Sequence, residues 1–161
     1  MTKPISILMG SQSDLETLKE TIDCLKEFKV GFEIKVLSAH RTPKELANYV
    51  EEISKKGTKI FIAAAGGAAA LAGVIAAHTT KPVIGIPIET KNLSGIDSLF
   101  STVQMPPGVP VGCMSIGKWG AKNAAIFALE ILGINDKVIQ KKLIAYKNKM
   151  RQKIKRIKIK I

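Results

Sequence analysis

The residues best suited to chemistry form one short run, Ser38-Ala39-His40-Arg41-Thr42-Pro43. An imidazole can exchange protons near neutral pH, and a guanidinium can clamp a phosphate through two parallel hydrogen bonds. The chain contains one other histidine, His78, which falls at the predicted end of a helix and is therefore expected to be structural. An imidazole beside a guanidinium indicates proton transfer next to a bound anion.

A second candidate segment, Gly-Ser-Gln-Ser-Asp at residues 10–14, follows a short apolar stretch. Gly10 permits a tight turn, after which backbone N–H groups and serine hydroxyls can meet an anion at the start of a helix. Asp14 could accept hydrogen bonds from ribose hydroxyls. Plain helix capping accounts for the same residues equally well, with Ser13 as the N-cap and Glu16 completing a capping box.

A third segment, residues 63–73, offers backbone rather than side chains, because it consists of alanine, glycine and one leucine. Gly66 and Gly67 let a ligand approach closely, and the N–H groups that follow can meet an anion. An alanine-rich helix is predicted directly after the glycines. The spacing is neither GxGxxG nor GxxxxGKS/T, so the pattern alone is typical both of nucleotide loops and of tight helix packing.

Five short apolar segments that alternate with helical patterns must position these loops. The strands are predicted at residues 5–9, 32–37, 59–64, 82–86 and 111–115. This alternation predicts an α/β fold with a parallel sheet covered on both faces, in which ligands lie beyond the carboxyl ends of the strands. The three segments above lie at that edge, as does a proline-rich loop at residues 87–108 that could form a lid or a wall.

The net charge of +12 arises from 25 basic and 13 acidic residues, and it is concentrated at one end of the chain. Residues 137–161 contain eleven bases and no acid, whereas the first 136 residues contain 14 bases and 13 acids. We therefore expect a single, nearly neutral catalytic domain at residues 1–135, followed by a basic amphipathic helix at residues 136–161. The charge thus says little about the substrate.

The apolar residues of this C-terminal segment recur at spacings of three and four, which indicates one apolar stripe on a helix. They are Ile139, Leu143, Tyr146, Met150, Ile154, Ile157 and Ile161. Packing on the domain or on a neighbouring subunit is the favoured interpretation. The alternatives are a membrane surface or nucleic acid, but the segment has little arginine and a single aromatic residue. We expect neither a membrane partner nor a nucleic-acid partner.

The remaining composition indicates a cytoplasmic protein. No signal-peptide pattern stands at the start of the chain, and the longest apolar stretch, residues 60–77, is too rich in alanine and glycine for a membrane span. Cys24 and Cys113 have no metal-binding or redox spacing. Because the histidines and acids form no ligand cluster, no metal is expected, and no Ser/His/Asp triad is recognisable.

Four motifs in order resemble the N5-carboxyaminoimidazole ribonucleotide mutase family of purine biosynthesis. They are Gly-Ser-x-Ser-Asp after the first strand, Ser-Ala-His-Arg-Thr-Pro after the second, Ala-Gly-Gly-Ala-Ala after the third, and Leu-Ser-Gly-Ile-Asp-Ser-Leu with Gln-Met-Pro further on. The resemblance covers about residues 5–132, and the Ser-Ala-His-Arg-Thr-Pro motif is its most specific part.

The resemblance implies a three-layer flavodoxin-like sandwich with a central parallel sheet, to which the tail adds an extra C-terminal helix, and assembly into a homo-octamer. It implies an isomerase that converts N5-carboxyaminoimidazole ribonucleotide to 4-carboxy-5-aminoimidazole ribonucleotide by decarboxylation and CO2 recapture, without cofactor or metal. His40 would be the general acid and base. The implied substrate-binding residues are Ser11, Asp14, Ser38, Arg41, Gly66, Gly67 and Ala68.

The third motif departs from the family's usual continuation, because Ala70 stands where a histidine is usual and Ala72 where a proline is usual. The pocket thereby loses a polar side chain and some rigidity. Two alternatives stay open: a direct carboxylase that uses CO2 and aminoimidazole ribonucleotide, and a ribonucleotide-binding module without catalysis. Trp119 stands where a small residue is usual, and the sequence offers no account of it.

Overall fold

A computed structural model describes residues 3–159, in which five strands alternate with helices as predicted. The strands are β1 (Ile5–Met9), β2 (Phe32–Val36), β3 (Ile60–Ala65), β4 (Val83–Pro87) and β5 (Gly112–Cys113). The helices are α1 (Leu15–Glu27), α2 (Pro43–Lys56), α3 (Leu71–Ala77), α4 (Ile96–Val103), α5 (Gly117–Gly133) and α6 (Lys137–Lys155).

All five strands are parallel and follow the order β2-β1-β3-β4-β5. In the register of the sheet, Ile7 of β1 is opposite Ile34 of β2 on one side and Ile62 of β3 on the other. The chain therefore leaves β1 toward one edge of the sheet and later starts β3 on the opposite side of β1. This strand order is that of the flavodoxin-like fold, and it confirms the predicted three-layer sandwich.

Helices cover both faces of the sheet because alternate residues of a buried strand point to opposite sides. On one face, Ile7 belongs to the same core cluster as Leu18 of α1 and the alanines of α5. On the other face, Leu8 clusters with Leu46 of α2 and Ile75 of α3. The leucine and isoleucine side chains among these are fully buried, and each contributes roughly 1.5–3 kcal/mol relative to exposure.

The most extensive helix contact joins α1 to α5, and small residues on α5 make it possible. Thr21 of α1 is fully buried and donates a 2.7 Å hydrogen bond from Oγ1 to the backbone oxygen of Ala121. The neighbouring Gly120 has no room for a side chain, since a Cβ atom there would lie 1.6 Å from the carbonyl oxygen of Ser115. The loop that precedes α5 can therefore fold back directly against the helix.

The first half of α6 packs on the α/β body of its own chain. Ile139 and Leu143 are buried in the core cluster that contains α1 and α5. The rings of Tyr146 and Phe28 meet edge to face, with centroids 5.7 Å apart. Lys142 also donates from Nζ to the Phe28 carbonyl oxygen over 2.6 Å. The proximal part of the predicted stripe is thus an intramolecular packing surface.

The second half of α6 and the residues directly after it leave the distal part of the predicted stripe exposed. Met150, Ile154 and Ile157 are exposed, and Ile161 lies outside the described residues. The predicted division at residue 135 into a domain and a separate helix stays a prediction. Among the helices within residues 3–159, none combines the length and the apolar character that crossing a membrane requires.

The largest differences from the sequence prediction lie at β5, at the starts of α1 and α3, and at the end of α6, which stops at Lys155 although a helix was expected over residues 136–161. β5 has only two residues, because it lies at the sheet edge and pairs only with Ile84 and Gly85 before the chain turns into α5. Helix α3 begins at Leu71, so residues 66–70 form a loop instead of a first helical turn. The first helical segment is capped by Ser11, not by Ser13, because a 3-10 turn precedes α1.

Candidate active site

A cavity of 410 Å³ lies at the carboxyl ends of β1, β2 and β3. The strand order reverses across β1 at this point, which is where open parallel sheets usually bind ligands. The residues that line the cavity come from the three loops that the sequence indicated: Gly10, Ser11, Asp14, Ser38, Ala39, His40, Arg41, Ala65, Gly66, Ala69, Ala70 and Leu71. Of the predicted site residues, Gly67 and Ala68 do not belong to this lining.

Arg41 joins the first two loops beside the cavity. Its Nη2 donates to the carbonyl oxygen of Gly10 over 2.6 Å, and its Nε donates to Ser38 Oγ over a longer 3.3 Å. The Arg41 backbone N–H reaches the same Ser38 oxygen over 3.3 Å. Three of the five guanidinium N–H donors have no acceptor among residues 3–159, so the group is both held in place and available for an anion.

Thr42 stiffens the loop that carries His40 and Arg41. Its Oγ1 accepts from the Ser38 backbone N–H over 2.9 Å and donates to the Ser38 carbonyl oxygen over 3.0 Å. The Thr42 backbone N–H reaches that carbonyl oxygen over 2.9 Å. Pro43 then opens α2 at its first turn, where a missing N–H leaves no helical hydrogen bond unmade. Residues 38–42 are therefore a compact, pre-formed turn.

A reciprocal cap closes the first loop. Ser11 Oγ accepts from the backbone N–H of Ser13, and the Asp14 carboxylate accepts from the backbone N–H of Ser11 over 3.1 Å. The sequence predicted this capping box at Ser13 and Glu16, and that prediction is wrong by two residues because the 3-10 turn at Gln12–Asp14 comes first. The shift places Ser11 and Asp14 at the cavity and leaves Glu16 exposed.

Asp14 is the carboxylate of the cavity, and only 7% of its surface is exposed. Burial raises its pKa, while hydrogen bonds from Ser11 and Ser13 and the charge of Arg41 act in the opposite direction. A buried carboxylate with few donors gains stability from any further donors that a ligand brings. Asp14 is therefore suited to accept hydrogen bonds from a ligand's hydroxyl groups.

His40 has the least restrained polar side chain at the cavity. It is exposed, and neither ring nitrogen has a hydrogen-bond partner among residues 3–159. The Ser11 hydroxyl accepts from Ser13 Oγ over 2.9 Å, but its own proton has no acceptor in that part of the chain. An imidazole and a hydroxyl group are thus both available to contact a ligand.

The third loop has two parts with different surroundings. Gly66 and Ala70 line the cavity with backbone and a methyl group, whereas Gly67 and Ala68 do not line it. Gly67 has a left-handed backbone with φ +65°, and its N–H donates to Ser98 Oγ of α4 over 2.9 Å. The Gly67 amide therefore faces α4. The proline-rich loop that contains α4 contacts the third loop at a residue that does not line the cavity.

Sequence reasoning missed some contributors to this site. Leu71 lines the cavity, but an apolar residue beside an alanine-rich segment looks like ordinary core packing. Ser98 belongs to the Leu-Ser-Gly-Ile-Asp-Ser-Leu motif, yet a hydrogen bond to a residue 31 positions away has no local sequence signal. The sequence indicates Gly10 only as a turn, and its role as an acceptor for Arg41 emerges from the folded chain.

The second histidine lies at a different part of the fold. A cavity of 540 Å³ at the amino end of the sheet is lined by His78 and its neighbours. His78 follows the last turn of α3, as predicted, with its Nδ1 3.1 Å from Glu51 Oε1. Within residues 3–159, no group of three or more His, Cys, Asp or Glu side chains is placed to hold a metal ion.

Comparison with known protein families identifies the family of this chain, which the geometry of the cavity does not identify. A family model described as AIR carboxylase matches residues 4–153. The chain belongs to the AIR carboxylase family. Because the match includes the three cavity loops and most of α6, membership rests on nearly the whole fold and not on a single motif.

Relatives within the AIR carboxylase family are similar over most of this chain. The N5-carboxyaminoimidazole ribonucleotide mutase of Pyrococcus abyssi is 51% identical over 148 residues, which cover 92% of this chain and 84% of the relative. The protein of the same name from Bacillus subtilis is 52% identical over 139 residues, which cover 86% of each chain. A solved structure, PurE of Treponema denticola, matches with a TM-score of 0.85 at 28% identity, over 93% of this chain and 92% of that one.

Proposed function

We propose that this chain is an N5-carboxyaminoimidazole ribonucleotide mutase, an isomerase of purine biosynthesis that forms 4-carboxy-5-aminoimidazole ribonucleotide. The observation that carries the proposal is the convergence on one cavity of an imidazole and a guanidinium, both with donors left free by residues 3–159, and a buried carboxylate. This convergence occurs in a chain 51% and 52% identical to two enzymes of that name. The substrate is a small ribonucleotide, and the proposed reaction uses no cofactor.

Arg41, Ser38 and Ser11 are proposed to bind the phosphate of the ribonucleotide. Charge-assisted hydrogen bonds from a guanidinium to a phosphate are roughly twice as strong as neutral ones, and the planar group can engage two oxygens at once. Ser38 supports this contact by accepting from Arg41 Nε, which orients the guanidinium before the substrate arrives. The unused Ser11 hydroxyl proton supplies a further donor on the opposite loop.

Asp14 is proposed to accept hydrogen bonds from the ribose hydroxyls. Its carboxylate receives one backbone hydrogen bond over 3.1 Å and one longer contact of 3.4 Å from Ser13 Oγ, so lone pairs remain for a ligand. Asp14 and Arg41 lie on neighbouring loops of one cavity, which matches the short distance between the ribose and the phosphate of a nucleotide. By holding the ribose and the phosphate, these two residues would also fix the position of the substrate's imidazole ring, which they do not touch.

His40 is proposed to be the general acid and base of a carboxyl transfer from nitrogen to carbon. Cleavage of the N–C bond releases CO2 and leaves an electron pair on nitrogen, which takes up a proton. The ring carbon then attacks CO2 and forms the new C–C bond, and loss of the proton from that carbon restores the aromatic ring. One imidazole can supply the first proton and accept the last one, so the isomerisation is balanced without a net proton.

The third loop is proposed to surround the carboxyl group while it is free CO2. Gly66, Ala69 and Ala70 present backbone and methyl groups, and their small size lets a ligand approach closely. A site that holds CO2 beside the ring gives it a high effective concentration and limits its loss to water. Gly67 and Ala68 contribute by shaping this loop, since they do not line the cavity.

Ala70 lines the cavity at a position where a histidine is usual, and this difference is the reason to test a second candidate function. The alternative is a direct carboxylase that joins CO2 to aminoimidazole ribonucleotide in the same pocket. Turnover of the purified full chain should be measured separately with each substrate. We expect turnover of N5-carboxyaminoimidazole ribonucleotide without added bicarbonate, whereas activity confined to aminoimidazole ribonucleotide plus bicarbonate would establish the carboxylase instead.

We also propose that the enzyme works in the cytoplasm as a homo-octamer, with the distal half of α6 packed on a neighbouring subunit. Large apolar side chains support an assembly, since Trp119 is 83% exposed and Phe100 is 59% exposed, and Met150 and Ile154 of α6 are exposed too. Burying such side chains between subunits would remove them from water. Sedimentation of the full chain should give a mass of eight chains, and a monomeric mass at micromolar concentration would contradict the proposal.

A further inference from the structure

Ser98 connects helix α4 to the glycine loop of the cavity. Its side chain is fully buried, and its Oγ donates to the carbonyl oxygen of Ile88 over 2.8 Å. The same oxygen accepts from the Gly67 N–H over 2.9 Å. A hydroxyl group has one proton to give, so Ser98 uses its proton on Ile88 and offers a lone pair to the Gly67 N–H. Ser98 does not line the cavity.

A second hydrogen bond ties the other side of the same loop to the same support. The Ile88 N–H donates to the carbonyl oxygen of Ala65 over 2.9 Å. The contacts Ala65–Ile88, Ile88–Ser98 and Ser98–Gly67 therefore form a closed circuit of three hydrogen bonds. Gly66, which lines the cavity, lies between the two residues that the circuit holds.

The glycine loop depends on such restraint because it has none of its own. Gly66 and Gly67 have no side chains to pack, and glycine has the largest conformational freedom of any residue. A Cβ atom on Gly67 would meet nothing within 4 Å, so crowding does not hold its left-handed backbone at φ +65°, and the hydrogen bond to Ser98 is the contact that restrains its N–H. Helix α4 therefore restrains the shape of the loop.

Helix α4 is itself anchored, which allows it to act as a support. Thr90 Oγ1 donates to the Asp97 carboxylate over 2.8 Å and accepts from the Gly95 N–H over 3.3 Å, just before the helix begins. The Ser101 hydroxyl proton faces two acceptors, the Asp97 carbonyl oxygen at 2.8 Å and the Gly67 carbonyl oxygen at 3.3 Å. The Gly67 N–H is thus bonded to α4, and its carbonyl oxygen has a second, weaker contact with the same helix.

We infer that Ser98 is a positioning residue of the active site: it holds Gly66 in the conformation that presents the loop backbone to the migrating carboxyl group. The inference rests on the proposed function, because it assigns a role in that reaction to a residue that does not touch the ligand. The phosphate and ribose contacts at Arg41 and Asp14 lie on other loops and do not depend on Ser98. Loss of its hydroxyl should consequently affect kcat more than KM.

The test compares Ser98→Ala with Thr102→Val in the full-length chain, at a temperature well below both Tm values. Thr102 is a matched control, because it is buried on the same helix and its Oγ1 donates only to the Ser98 carbonyl oxygen within α4. We expect Ser98→Ala to lower kcat by about 10-fold, as misplacement of a positioned group can cost up to about 100-fold, with KM changed by less than about 2-fold. Thr102→Val should leave both constants near the wild-type values.

Amide hydrogen exchange in residues 65–71 gives a second readout that does not depend on activity. Ser98→Ala should speed exchange of the Gly67 amide, since its acceptor is removed, and Thr102→Val should not. Equal kcat and equal exchange in the two variants would overturn the positioning role. If the wild-type chain had no turnover while the exchange difference persisted, the proposed function would be wrong, but restraint of the loop by Ser98 would be supported.

A variant at the exposed Ser101 covers the case in which Ser98→Ala does not fold. Ser101→Ala removes the contact to the Gly67 carbonyl oxygen without creating a buried cavity. Since that contact is long and shares the Ser101 proton with the closer Asp97 carbonyl oxygen, we expect kcat to fall by only about 3-fold, within the range that loss of positioning can produce, and KM to stay constant. An unchanged kcat in this variant would count against support of the loop by α4.

Discussion

Replacing His40 by asparagine is expected to lower kcat by about 10³-fold while leaving the fold and ribonucleotide binding intact. General acid–base catalysis typically contributes about 10²–10⁴-fold, and here one imidazole is asked to serve two proton transfers. The ring is exposed and makes no hydrogen bond to residues 3–159, so its removal breaks no contact in that part of the chain. Turnover and substrate affinity should be measured on the same preparation.

The matched control for this variant is His78→Asn. His78 lies at the other end of the sheet beside Glu51, and its loss should leave kcat near the wild-type value. A binding module without catalysis would show no turnover in the wild-type chain and therefore no effect at His40. A His40→Asn enzyme that kept wild-type kcat would remove the residue from its proposed role, and loss of ribonucleotide binding alone would reassign it to substrate contact.

Asp14→Asn is expected to lower kcat/KM by about 100-fold while making the folded chain more stable. Hydrogen bonds to a charged group contribute about 1.5–3 kcal/mol each, so weakening two ribose contacts accounts for a loss of that size. Asparagine keeps an oxygen for the Ser11 N–H, which preserves the cap. It also removes the cost of burying a charge, because the Asp14 side chain is nearly inaccessible in the folded state.

The pH dependence of stability gives a separate check on Asp14. Burial raises its folded-state pKa above the unfolded value of 3.8, so the folded state binds more protons between the two values. The contribution of Asp14 to stability therefore falls as the pH rises from below 3.8 through the folded-state pKa, and it is constant above that range. The Tm difference between Asp14→Asn and the wild type should grow across this window and then level off.

Asp23→Asn serves as the control, since Asp23 is exposed on α1 and lies outside the cavity. It should leave both kcat/KM and the pH dependence of Tm close to wild type. If Asp14→Asn instead lowered Tm at neutral pH, the carboxylate would be a net stabilising cap and its burial would carry no cost. If kcat/KM were unchanged, Asp14 would have no part in binding the ribose.

Much of the fold could be predicted because its pattern is local. β1 occupies the predicted residues 5–9, since a run of apolar side chains bounded by Gly10 has few other interpretations. Helix α2 begins at Pro43 and ends before Gly57, whose left-handed φ of +113° is a common C-cap conformation. The prediction for β5 is too long because the length of this strand depends on its pairing with β4. A short sequence segment does not show how many of its residues pair with another strand.

The site was predictable at the level of loops and less so at the level of contacts. The carboxyl-edge rule brought His40, Arg41 and Asp14 to one cavity, because parallel strands end together. The cap of the first loop was placed at the wrong serine, since a 3-10 turn and an α-helix have the same capping residues. The hydrogen bond between Ser98 and Gly67 joins distant segments and could be found only in the folded chain.

The measurement that tests the central proposal most directly follows an isotopic label through one turnover. The full chain is given N5-carboxyaminoimidazole ribonucleotide with ¹³C in the carboxyl group, in the presence of excess unlabelled bicarbonate. A mutase that holds CO2 at the third loop should form 4-carboxy-5-aminoimidazole ribonucleotide with the label retained in its carboxyl group. Product whose carboxyl group comes from the unlabelled bicarbonate, or a labelled substrate left unconverted, would contradict the proposal.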